Sequence, residues 1–200
     1  MRIRTVLAVA GSAIAVLGVL SIGLAARRGA ETGHQPVTAG APAAVAAPDS
    51  PAWGEVIPTG IEDGGQERVF YVVRIDEDAL PQTRFGVMAG RQDRAGALTG
   101  DVVTNEVAAA DRADGFHAVW GGSGPNGTSV PAFGYYVGPA VSITATAGGR
   151  QVRAAQAVWS EDPRVVVFWF DNPGGPIADL AAFDARGNRL AAGDTAVYVG

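Results

Sequence analysis

Cysteine and lysine are both absent from this 200-residue chain, and each absence removes whole chemistries. Without a thiol there is no disulfide, no thiolate nucleophile, no iron–sulfur or cysteine–zinc site and no lipidated cysteine anchor. Without a primary amine on a side chain there is no Schiff-base catalysis and no phosphate-loop lysine. Histidine is scarce as well: His34 and His117 are the whole supply, too few for a multi-histidine metal site. Arginine supplies all 15 basic residues, and from residue 51 onward 11 of them face 18 Asp and Glu, a net charge of −7. An acidic domain repels phosphate backbones, so nucleic acid is not expected as a partner.

What is present begins with an apolar run. Thr5 to Ala26 is 22 residues without a charge, bracketed by Arg2 and Arg4 before it and Arg27 and Arg28 after it. As a helix it would rise about 33 Å, enough for a hydrocarbon core of about 30 Å. Residues 1–28 are therefore expected to form a transmembrane signal anchor that binds the lipid bilayer through Thr5–Ala26. A cleaved signal peptide is the alternative, since Gly23-Leu24-Ala25 offers the small residues a peptidase requires. The arginine counts on the two sides nearly balance. The short N-terminal flank favours an outward C-terminal domain, and a reversed helix would give a membrane-bound regulator with a cytoplasmic domain.

Residues 29–52 hold four prolines among Ala, Gly, Thr and Ser, a composition expected to form a disordered or extended linker. Its reach is about 27 Å as a random coil and about 74 Å as a polyproline helix. His34 lies in this stretch and is expected to be solvated.

From Trp53 to Gly200 short apolar runs are broken by Gly, Pro, Asn and Asp every 8–12 residues. That spacing predicts an all-β domain, an Ig-like β-sandwich or small barrel. Residues 67–76 predict a strand with Val69, Tyr71, Val73 and Ile75 on one face. Residues 141–147 predict another, with Val141, Ile143 and Ala145 inward, turning at Gly148-Gly149 into residues 151–159. A second hairpin is expected from 178–184 to 188–192 through Ala185-Arg186-Gly187. Residues 84–100 read as a Gly-rich loop. Residues 101–114 fit either a short helix starting at Asp101 or a strand followed by a loop, with the helix slightly favoured.

Arg164–Phe170 (RVVVFWF) is apolar on both faces. Either it is a central strand covered on both sides, or the face carrying Val166, Phe168 and Phe170 awaits a partner. In the second case Trp169, Tyr135 and Tyr136 would add aromatic surface for a glycan or an envelope protein, as would Trp120 and Trp159.

Catalytic motifs fail on inspection. Gly122–Gly127 satisfies G-x-G-x-x-G, but Thr-Ser-Val-Pro follows where a dinucleotide site needs a helix. Ser123 lacks the flanking glycine of a nucleophile elbow, having Pro125 there, although His117 stands six residues away. Asp76 and Asp78 are a weak Ca²⁺ candidate, because Pro81 occupies the position where an EF-hand loop needs Gly. Glu161-Asp162 and Asp111/Asp114 could supply the paired carboxylates of a glycoside hydrolase. Asn126-Gly127-Thr128 matches a glycosylation sequon. No cofactor is expected.

The phrases VSITATAGGRQVRAAQAVW, RVVVFWF and IADLAAFDARGNRLAAG, within residues 135–195, resemble small extracytoplasmic β-domains of actinobacterial membrane-anchored proteins. The resemblance implies a β fold and an envelope location, and assigns no catalytic residue. The resulting expectation is a non-enzymatic, single-pass membrane protein whose outward domain binds or senses an envelope component. A carboxylate-based envelope hydrolase is the alternative.

Overall fold

The computed structural model describes residues 50–107, 109–122 and 130–198. The leader, most of the linker, Ser123 and the Asn126 sequon lie outside the described residues. Those described contain no helix and build twelve strands. In chain order these are β1 (Ile57–Asp63), β2 (Gln66–Arg74), β3 (Phe85–Gln92), β4 (Leu98–Asn105), β5 (Gly115–Trp120) and β6 (Ala132–Val137). There follow β7 (Ser142–Ala147), β8 (Arg150–Arg153), β9 (Ala155–Trp159), β10 (Asp162–Phe170), β11 (Ile177–Phe183) and β12 (Val197–Tyr198). The domain is all-β, as the turn spacing predicts.

The strands form three sheets, ordered β1-β2-β3-β4, β12-β5-β6-β10-β9 and β11-β7-β8. The first is a meander of antiparallel neighbours. After β6 the chain alternates between the second and third sheets. β7 and β8 form the hairpin read at Gly148-Gly149, and β9 then joins the second sheet. The backbone N–H of Ala154, between β8 and β9, still donates to the Ile143 carbonyl at the crossing. Beyond β11 the chain turns through residues 184–187 and returns with a single bridge, Phe183 to Arg189, rather than a full strand.

Two apolar clusters meet on opposite faces of the second sheet. Val165, Val167 and Trp169 of β10 join Phe70, Val72, Phe85, Val87, Phe133 and Tyr135 in the first. Its aromatic rings lie close together, with Phe70 5.0 Å from Phe133 and 5.3 Å from Trp169. Val166, Phe168 and Phe170 join Phe116, Tyr136, Ile143, Ile177 and Leu180 in the second. β10 also has strand neighbours on both edges, β6 and β9. RVVVFWF is therefore a central strand covered on both faces. The reading of Val166, Phe168 and Phe170 as a waiting partner face does not describe this structure, since their exposures are 2%, 0% and 2%. Tyr135, Tyr136 and Trp159 are buried too, and Trp169 is 6% exposed.

Three local expectations need correction. Residues 84–100 are mostly strand, not loop, because Gly86 and Gly90 serve packing and only Gly96, at φ 88°, serves the β3–β4 turn. A Cβ on Gly90 would lie 2.4 Å from the Thr99 carbonyl oxygen and 3.1 Å from the Tyr71 ring. Only a bare backbone lets β3 and β4 approach there. Residues 101–105 continue β4 rather than starting a helix, because Val102 and Val103 bury against opposite faces of the first sheet. Val141 is 50% exposed, while Ile143, Ala145 and Ala147 carry the inward face of β7.

Because Phe168 is fully enclosed, Phe168→Ala is expected to lower the unfolding free energy of the full chain by about 3–5 kcal/mol. Urea denaturation measures this, and an unchanged midpoint would mean that the side chain faces solvent.

Candidate functional site

At one end of the strands a cleft of about 640 Å³ opens between the first and second sheets. Its walls come from the end of β1 (Glu62, Asp63), Arg68 of β2, Gly121-Gly122 after β5, and the Asp171–Pro176 loop after β10. In that loop Asn172 holds a left-handed backbone (φ 44°), and the exposed Asp171 and Asn172 line the opening. Glu62, Asp63 and Asp171 against Arg68 leave the lining with an excess of two negative charges.

Arg68 is the anchor of this wall. It is 7% exposed, and its Nη2 donates to Asp63 Oδ2 at 2.6 Å. Its Nη1 stands 3.6 Å from Asp101 Oδ2. Arg91, directly across the strand pair from Arg68, donates to both oxygens of Asp101 at 3.2 and 2.7 Å. Two arginines facing each other would repel, and the buried Asp101 between them removes that repulsion. The hydrogen bond to Asp101, reinforced by its charge, raises the Arg91 pKa above the ordinary arginine value. The signal legible in the sequence was the charged pair Glu67-Arg68 directly before the apolar run 69–73 of β2.

A second polar cluster is sealed inside. His117 of β5 is 2% exposed, Glu106 3% and Asp111 4%. His117 Nδ1 lies 2.7 Å from Glu106 Oε2, and Nε2 lies 2.7 Å from the Ala113 carbonyl oxygen. The Tyr135 ring stacks on the imidazole at 4.9 Å and 9°. β5 carries an irregularity between His117 and Trp120, with Ala118 at φ 50°. This local kink departs from regular strand geometry and costs a non-glycine residue energy. With both ring nitrogens engaged, His117 has none left to serve as base for a serine.

The remaining sequence candidates are scattered. Asp76 and Asp78 are exposed in the turns between β2 and β3. Among the described residues no group of three or more His, Asp or Glu side chains is placed to hold a metal ion. Asp162 accepts from Arg112 Nε at 2.9 Å, and Asp114 accepts from Arg164. Burial pushes the Asp162 pKa up, but the Arg112 hydrogen bond, the Arg164 backbone N–H and both positive charges outweigh it and lower the pKa overall. A carboxylate held ionised in this way is a poor proton donor for glycoside cleavage. The Asp111 carboxylate accepts the Arg84 backbone N–H at 2.6 Å instead of facing a cleft.

Comparison of the chain with protein-family models, with curated proteins and with solved structures finds no match.

The Tyr135 hydroxyl is buried without a hydrogen-bond partner among the described residues. An unsatisfied buried hydroxyl costs about 1–3 kcal/mol. Tyr135→Phe is thus expected to leave stability unchanged or to raise it by about 1 kcal/mol, read as the thermal midpoint of the full chain. A clear loss would show that the hydroxyl has a partner after all.

Proposed function

We propose that this chain is a non-enzymatic, single-pass envelope protein whose outward β-sandwich domain binds a component of the cell envelope in the cleft between β1, β2 and the β10–β11 loop. The face-to-face stacking of the first and second sheets supports the sandwich reading, with the third sheet as an added layer. The uncharged run Thr5–Ala26 supports the anchor, and the proline-rich residues 29–52 suit a tether between membrane and domain.

The observation that carries the binding reading is the ion-paired back wall of the cleft. Asp63, Arg68, Asp101 and Arg91 form one ion-pair chain, while the exposed carboxylates of Glu62 and Asp171 stand at the mouth. A preformed concavity with a few fixed polar groups is the usual form of a ligand site. Its excess negative charge disfavours anions, whereas carboxylates accept hydrogen bonds well from hydroxyl groups. A hydroxyl-rich glycan or a basic segment of an envelope protein fits this lining. Ion pairing of Asp162 and Asp114, together with the coverage of Asp111, weighs against the hydrolase alternative.

Two tests follow. Full-length protein made in its native host is expected in the membrane fraction, and full recovery in the soluble cytosolic fraction would remove the anchor. For the cleft, retention on immobilised envelope polysaccharide and on immobilised envelope protein would be compared for the wild type and for Glu62→Arg/Asp171→Arg. Both substituted positions are exposed, so the fold should survive. At least a tenfold loss of retention on one matrix is expected, and equal retention of the two proteins on both matrices would rule out the cleft.

A further inference from the structure

The segment from Glu106 to Asp114, described except for residue 108, connects β4 of the first sheet to β5 of the second. Few of its attachments are apolar. Asp111 exchanges hydrogen bonds with residues 82–84, donating its N–H to the Gln82 carbonyl and accepting the Arg84 N–H on its carboxylate. The Glu106 carbonyl accepts from Thr83 Oγ1 at 2.7 Å. Arg112 lies over the rings of Phe85 and Trp159 and pairs with Asp162, and Asp114 pairs with Arg164. At the centre, Glu106 Oε1 accepts the N–H groups of Val107 and Ala109, while Oε2 meets His117.

Both nitrogens of His117 face acceptors at 2.7 Å, a carboxylate oxygen on one side and a carbonyl oxygen on the other. A neutral imidazole has one N–H and can satisfy one of them; an imidazolium has two and satisfies both. We propose that the 106–114 segment is a pH-sensitive strap, latched across the sheet junction by doubly donating His117 and released when that imidazole loses a proton. In the neutral ring one lone pair would point at an acceptor oxygen inside a buried site. The contact that yields is the one to Ala113, because Ala113 lies on the exposed stretch of the strap whereas Glu106 is also held by Thr83, Asn105, Val107 and Ala109.

The groups around the ring agree on the direction. Burial alone would lower the pKa, but the Glu106 hydrogen bond, the Ala113 carbonyl and the charges of Glu106 and Asp111 outweigh it and raise the pKa above 6.5. On the β6 side the ring meets Tyr135, whose own pKa is driven well above 10 by burial, with Glu106 and Asp111 adding to the rise and Arg112 opposing it. Tyr135 is therefore neutral wherever His117 titrates. From β12, Tyr198 also stays neutral, its pKa raised by burial and by Asp194 and Glu106. A raised folded-state value means that the latch contributes its full stability below the unfolded pKa of about 6.5. That contribution is lost as the pH climbs through the folded-state value.

The test uses the full chain in detergent micelles. Nitrogen NMR of the imidazoles reports charge directly, and a His34→Ala variant assigns the two histidine signals. Both His117 nitrogens are expected to be protonated at pH 6.5, with a titration midpoint above that. Amide exchange at residues 109–114, corrected for intrinsic rates, is expected to accelerate at least tenfold through the same midpoint. His117→Gln should abolish the midpoint in exchange, and Glu106→Gln, which keeps an acceptor but removes the charge, should lower the His117 midpoint. A His117 that is neutral at pH 6.5, or strap exchange that stays flat through the His117 titration, would overturn the proposal even if neither variant folds.

Discussion

Burial of both faces of one strand organises the domain. Fully burying a Val or Phe side chain is worth about 1.5–3 kcal/mol, and β10 buries six large apolar side chains in succession, Val165 to Phe170. A sheet with one wet face cannot accommodate that strand. The chain must provide a sheet on each side of it, and the order of strands follows from this need. β1 to β4 arrive first as a continuous meander and cover Val165, Val167 and Trp169. β7, β8 and β11 are interleaved with the second sheet and cover Val166, Phe168 and Phe170. Strand crossings at Ala154 and after Phe170 are the consequence.

Double coverage forces the buried charged groups into pairs. Arg68 and Asp101 at the cleft end of the first sheet, and Glu106, Asp111 and His117 in the second polar cluster, are each matched by charge or by hydrogen bond. Buried ion pairs of this kind add little net stability over apolar residues but are costly to break. Their effect is on specificity of arrangement. Asp101 fixes the β2–β3–β4 register where Arg68 and Arg91 face each other, and Glu106 fixes the connection into β5. These pairs tie neighbouring strands and connections together, and the cleft opens beside the Arg68–Asp63 pair. Backbone crowding adds to this: a Cβ on Gly115 would fall 2.4 Å from the Gly193 Cα, so the C-terminal segment closes tightly on β5.

Much of the architecture was legible in the residues. RVVVFWF announced a strand with two dry faces, Gly148-Gly149 announced the β7–β8 hairpin, and the turn spacing announced an all-β fold. The central-strand reading of RVVVFWF prevailed over the partner-face reading for an energetic reason that the sequence contains but does not rank. β3 and the start of β4 were hidden because Gly86 and Gly90, poor strand formers in isolation, are required there by close packing. Residues 101–114 were ambiguous since Val-Val-Thr-Asn suits a strand while the following Ala-rich stretch suits a helix. Of the candidate sites, the acidic turn at Asp76 and Asp78 was visible but is merely exposed. The Glu106–His117 pair was not visible. It depends on an irregular β5 and a connection that folds back on itself, and neither leaves a periodic trace.

The central claim, that β10 is the enclosed middle of a three-sheet domain, makes one direct demand on dynamics. Amides that exchange only through global unfolding belong to the most enclosed strands. Site-resolved hydrogen exchange on the full chain should find the slowest amides in β6 and β10, well behind the edge strands β1 and β8. If the amides of Val165 to Phe170 exchange as fast as those of β8, the strand is not enclosed and the layered arrangement built around it is wrong.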